Sequence, residues 1–160
     1  MGDYDKLIQE HYKSLSSKEF ENGSVEHAKI LVKYLFKMAL SKKLDMKMIS
    51  GCLNGEFYDN FTESAKKLLA GGNRISLISV KSPDEGSFKD VLKSDNSGNA
   101  SIIVADDKVD SLPHFILVGD SAYRFENSDI LCTAQASFNK PSMGKFLNFL
   151  FEDIRKSLTA

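Results

Sequence analysis

Three short runs rich in β-branched and apolar residues, separated by stretches with helical spacing, constrain this chain more than any other feature. They are Leu44–Ser50, Arg74–Val80 and Ala100–Ala105. Between the first two, Asn54 and Gly55 open a segment with Phe57, Phe61, Ala65, Leu68 and Leu69 on one helical face, closed by Gly71 and Gly72. Between the second and third, Pro83, Gly86 and Ser87 lead into a short helix around Phe88–Leu92, and residues 95–99 read as a turn-rich loop. A strand that returns through a helix to the next strand runs parallel to it. The nearly continuous apolar character of Ala100–Ala105 is the pattern expected of a strand in the sheet interior.

The flanks complete the order. Tyr4, Leu7, Ile8, His11 and Leu15 form one stripe of an N-terminal helix over residues 4–15, followed by a connector. Ser24 is placed to cap a second helix over residues 25–43, with His27 at the third position after it. Beyond residue 113 the rhythm changes. His114–Val118 and Ala122–Phe125 flank Gly119-Asp120-Ser121, which reads as a hairpin turn, and a strand over Ile130–Phe138 follows without room for a helix. Pro141 suits the first turn of a final helix over residues 141–158. The expected fold class is α/β, a mixed β-sheet sandwiched by α-helices. Residues 1–23 form an N-terminal helix and connector in this reading, and residues 24–160 a single α/β domain.

A chain of 160 residues with 42% hydrophobic residues can build one core. Its net charge of −1 argues against a generally basic nucleic-acid binder but not against a local basic face. No apolar run approaches the ~20 residues of a membrane span, and the acidic N-terminus lacks the shape of a secretory leader. The expectation is a cytoplasmic protein without membrane attachment. Cys52 and Cys132 read as small buried fillers rather than a disulfide framework.

Phosphate-loop, dinucleotide, serine-hydrolase and zinc-protease motifs are all absent from the sequence. The three histidines lie far apart, so neither a metal site nor a cofactor is expected. Asp106, Asp107 and Asp110 follow the third strand and read as a charged loop, with Mg²⁺ ligation or base chemistry as the sharper alternative. Lys29, Lys33 and Lys37 recur every fourth residue and could meet phosphates, or form the solvated back of a helix.

The most suggestive stretch is Pro113–Glu126. Its strand, turn and strand would bring His114, Asp120, Tyr123, Arg124 and Glu126 into one neighbourhood. Phe115-Ile-Leu-Val-Gly-Asp120, followed by Ala136-Ser-Phe-Asn139 and a helix, resembles the C-terminal half of a phospholipase D-like domain. That superfamily carries histidine, one residue, lysine, four residues and aspartate, then a serine–asparagine segment. The departures are specific. Counting back from Asp120, the histidine position is Pro113 and the lysine position Phe115. His114 is one place out of step, and in a strand one place turns a side chain to the opposite face. The resemblance therefore implies a member without the covalent phosphohistidine route, and it implies a symmetric dimer, since one such half builds a site only with a second.

Two readings follow. The first is a non-catalytic module that binds a protein partner or a phosphate-bearing ligand such as nucleic acid through Arg124, Ser137, Asn139 and Lys140. The second is a phosphodiesterase or nuclease with a rearranged site, His114 as base or nucleophile and Asp120 or Glu126 orienting it. A small-molecule sensor, with its ligand near Gly51, Pro83 and Asp106, is a third expectation.

Overall fold

The computed structural model describes residues 2–51, 53–108, 111–128 and 133–160. Cys52, Cys132 and Asp110 lie outside the described residues, as does the start of the strand expected from Ile130. The order of elements is α1 (Asp3–Ser14), β1 (Phe20–Asn22), α2 (Val25–Lys42), β2 (Met46–Ser50), α3 (Gly55–Tyr58), α4 (Thr62–Ala70), β3 (Ile75–Ser79), α5 (Ser87–Ser94), β4 (Ala100–Val104), β5 (Phe115–Val118), β6 (Ala122–Ser128), β7 (Thr133–Ser137) and α6 (Pro141–Thr159).

One mixed sheet of seven strands runs in the order β1-β7-β6-β5-β2-β3-β4. The strand–helix rhythm produces the parallel part, β2 beside β3 and β3 beside β4. The later strands add an antiparallel meander, in which β5 pairs with β2, β6 with β5, and β7 with β6. Ser24 caps α2 by accepting from the His27 N–H, as its sequence position predicts. Gly72, with φ of +90°, supplies the left-handed residue after α4.

Three expectations are corrected. The connector contains a strand: Phe20–Asn22 pairs antiparallel with β7 and forms one edge of the sheet. Three residues are too few to register as alternation, and only pairing with a distant strand makes them one. Ala100–Val104 is not in the sheet interior but forms its other edge, with Ser101 exposed and its other residues partly so. Its apolar residues on both faces follow from contact with α5 on one side and the sheet's back on the other, so composition alone could not distinguish edge from centre. The helix begun at Asn54 is interrupted by a 3-10 turn at Asp59–Phe61. There the Asp59 carboxylate leaves its own helix and accepts from the Phe88 N–H at the start of α5.

The sheet divides the core unequally. α1, α2, α4 and α5 cover one face, packing Ile8, Leu31, Leu35, Phe36, Leu68 and Phe88 against Met46, Met48, Leu77, Ile116 and Val118. α6 covers the other, with Leu147, Phe151 and Leu158 on Ile49, Phe115, Leu117 and Tyr123. Along β5 the two sets alternate residue by residue, as strand geometry requires. The outer side of α6 leaves Phe146 and Phe149 more than half exposed. No helix among the described residues is long and apolar enough to cross a membrane.

Candidate functional site

β5 and β6 pair with Ile116 opposite Arg124 and Phe115 opposite Phe125. Continuing that register sets His114 opposite Glu126, and the Glu126 N–H donates to the His114 carbonyl at 2.9 Å. Side chains at 114, 124 and 126 then share the parity of Ile116 and face the four-helix side of the sheet. Phe115, at the position where the resemblance calls for lysine, has the other parity and is buried under α6. His114 and Phe115 therefore lie on opposite faces of the sheet.

His114 Nδ1 lies 3.3 Å from Glu126 Oε2, and Glu126 Oε1 lies 3.9 Å from the Arg124 guanidinium. Arg124 Nε donates to Asn22 Oδ1 at 3.0 Å, tying the hairpin to β1. The far edge of the imidazole packs on Gly51, where an added Cβ would stand 3.3 Å from Cε1. These groups line an open cleft of about 430 Å³ at the carboxyl end of β2, walled by Val25 and Lys29 of α2 and by Asn54, Glu56, Phe57 and Tyr58. Its position outside the carboxyl ends of parallel strands is where ligands of open α/β sheets bind. Tyr4 of α1 stacks on His27 at 3.8 Å. Burial pushes its phenol up to about 12, the Arg124 charge opposing that rise, and its buried hydroxyl has no hydrogen-bond partner among the described residues.

The remaining expected site residues lie elsewhere. Asp120 is in the turn at the opposite end of β5, and that four-residue strand alone spans roughly 13 Å. It does not join His114. Tyr123 faces α6 and donates to Glu19 at 3.0 Å. Ser137, fully buried, accepts from the Asn139 N–H at 3.2 Å, and Asn139 Nδ2 donates to the Leu15 carbonyl at 3.1 Å. Lys140 is ion-paired with Glu19, and its N–H donates to the Ser121 carbonyl at 2.8 Å. These four polar residues fasten the β7–α6 connection to the hairpin and to the end of α1.

The lysine stripe on α2 is divided. Lys29 reaches the cleft, whereas Lys37 sits 5.4 Å over the Tyr12 ring and 5.5 Å over the Tyr34 ring. Gly51 and Pro83 line different depressions, so the region expected for a sensor ligand is not one place. Among the described residues no group of three or more histidine, cysteine or acidic side chains is arranged to hold a metal ion. Sequence reading missed Val25, Asn54, Glu56 and Asn22 as neighbours of this hairpin. It held one usable signal, since a hairpin turned on Gly119-Asp120-Ser121 pairs His114 with Glu126 by counting outward.

No family model matches the chain, and no curated protein matches it significantly. Among solved structures, NucT from Helicobacter pylori is similar, with a TM-score of 0.64 over 88% of this chain and 96% of that one, at 8% identity. At that identity the likeness speaks for the fold alone, a mixed seven-stranded sheet with helices on both faces.

Proposed function

We propose that this protein is a phospholipase D-like module that binds a phosphate-bearing ligand in the His114–Arg124–Glu126 cleft without cleaving it. The observation that carries the reading is the placement of His114. Its imidazole faces the α2 side, held at Nδ1 by Glu126, while the lysine position is a buried phenylalanine on the other face. Phosphoryl chemistry needs surplus positive charge where the transition state gathers negative charge. Here the cleft's cations, Lys29 and Arg124, are balanced by Glu56 and Glu126. Such a balance suits reversible recognition of an anion that competes with Glu126 for the guanidinium and the imidazole.

A specific observation favours a second reading. A carboxylate 3.3 Å from one imidazole nitrogen orients the ring, as in hydrolytic dyads where histidine is the base. A turnover assay separates the two. The binding reading expects a fluorescent single-stranded oligonucleotide to be retained at low salt and recovered intact. Arg124→Gln and His114→Ala should each weaken retention at least tenfold. Hydrolysis of the oligonucleotide or of bis(p-nitrophenyl) phosphate by the wild type, abolished by His114→Ala, would establish the enzyme instead. The symmetric dimer implied by the resemblance belongs to this proposal, and light scattering that finds a monomer removes it.

A further inference from the structure

The two edges of the sheet are unlike. β1 is three residues long with Glu21 exposed at its centre, which is how natural sheets discourage pairing with another chain. β4 is five residues, Ala-Ser-Ile-Ile-Val, with no charge and no proline. Its hydrogen-bonding direction can be read from its ends. The Asn99 carbonyl accepts from the Ile75 N–H, and the Ala105 N–H donates to the Ser79 carbonyl. Odd-numbered residues therefore bond to β3, while Ala100, Ile102 and Val104 turn their peptide groups outward. The Ala100 N–H is capped by Asp95 at 3.1 Å. The peptide groups of Ile102 and Val104 thus point outward along this edge.

Beside that edge lies a groove of about 620 Å³, lined by Ile102 and Val104, by Leu92, Lys89 and Lys93 of α5, and by Pro83, Ser82 and Glu85. Lys89 is mostly buried and pairs with Glu85 at 2.6 Å, leaving Lys93 as the exposed cation in excess. A strand added beyond β4 would project the side chains opposite Ile102 and Val104 into this groove.

We propose that β4 is a docking edge for an extended segment of a partner protein, one that carries an apolar and an acidic side chain two residues apart, so that both face α5. Main-chain bonds to Ile102 and Val104 supply affinity, the groove floor at Leu92 takes the apolar side chain, and Lys93 selects the acidic one. The site is distinct from the cleft and stands or falls independently of it.

The test is selection of a random heptapeptide library on the immobilised full chain, followed by amide exchange of the protein with a selected peptide. Expected are sequences with an apolar and an acidic residue two positions apart that slow exchange at Ile102 and Val104. Ile102→Pro removes an outward N–H that β3 does not use, and should weaken binding at least tenfold. Lys93→Glu, on the surface of α5, should weaken it about threefold. Peptides that leave those two amides unprotected, or bind both variants as well as the wild type, would overturn the proposal. So would an empty selection. Protection that rises with protein concentration in the absence of peptide would assign the edge to a second copy of this chain.

Discussion

The two ends of the β5–β6 hairpin differ in how their polar groups are used. At the turn end, polar groups close the chain on itself: Asn139 holds the Leu15 carbonyl, Lys140 bonds Ser121, and Gly144 of α6 lies against the Asp120 carbonyl. At the open end, His114, Glu126 and Arg124 form a chain of polar contacts facing a cleft. Residue types that look equally chemical in sequence divide into fasteners and candidate ligands for a geometric reason. The turn end is crossed by α6 and the end of α1, whereas the other end opens on a cleft walled by the first turn of α2, the β2–α3 loop and α3. Location in the sheet, more than side-chain chemistry, decides which polar groups remain available.

The sharpest way to break this contrast is Gly144→Ala. A Cβ at this position would overlap the Asp120 carbonyl oxygen, so either α6 or the turn must move. The expected cost is about 3 kcal/mol or more by denaturant unfolding. A cost near zero would show that the turn end is loosely packed. Asn139→Ala comes next. It strands the Leu15 carbonyl and should cost about 1–2 kcal/mol, with ligand retention unchanged once folding is allowed for. His114→Ala should show the reverse pattern, a stability change within about 1 kcal/mol and a loss of retention.

Much of the fold was legible because its signals are local. Ser24, Asn54, Gly72 and Pro141 each punctuate a helix, and β2, β3 and β5 are apolar runs bounded by turns. β1 and the edge position of β4 were not legible, since both are decided by pairing between residues far apart in sequence. The same limit applies to the candidate site. His114, Arg124 and Glu126 stand out in one hairpin, but grouping Asp120 with them ignored the length of the strand between. Asn22 and Lys29 join them only because β1 and α2 pack there.

A smaller effect sharpens the comparison at the cleft's support. The Tyr4 hydroxyl is buried without a partner among the described residues, so Tyr4→Phe should stabilise the protein by about 1 kcal/mol near neutral pH. Because burial raises the folded phenol from 10.0 to about 12, the unfolded chain ionises first, and the fold loses stability as pH rises from 10 through 12. The variant should lack that share of alkaline destabilisation. A destabilised Tyr4→Phe would show that the hydroxyl serves the Arg124 network.

The smallest effect lies on the α6 side. Burial pushes the Glu152 carboxyl up, but hydrogen bonds from Arg155 and Lys47 and their charges outweigh it and hold it below 4.5. The Lys47 ion pair at 3.1 Å joins α6 to β2. That contribution is present above pH 4.5 and lost as pH falls below it. Glu152→Gln should remove it, by at most about 1 kcal/mol in thermal unfolding, with no effect on the cleft.

The contrast between the hairpin ends is tested most directly by NMR titration of the full chain with a short single-stranded oligonucleotide at low salt. Amide shifts centred on Gly51, His114 and Glu126, with Ser121 and Asn139 unmoved and the oligonucleotide intact, are the expected result. Shifts centred on Ser121 and Asn139, or cleavage of the oligonucleotide during the titration, would contradict the account.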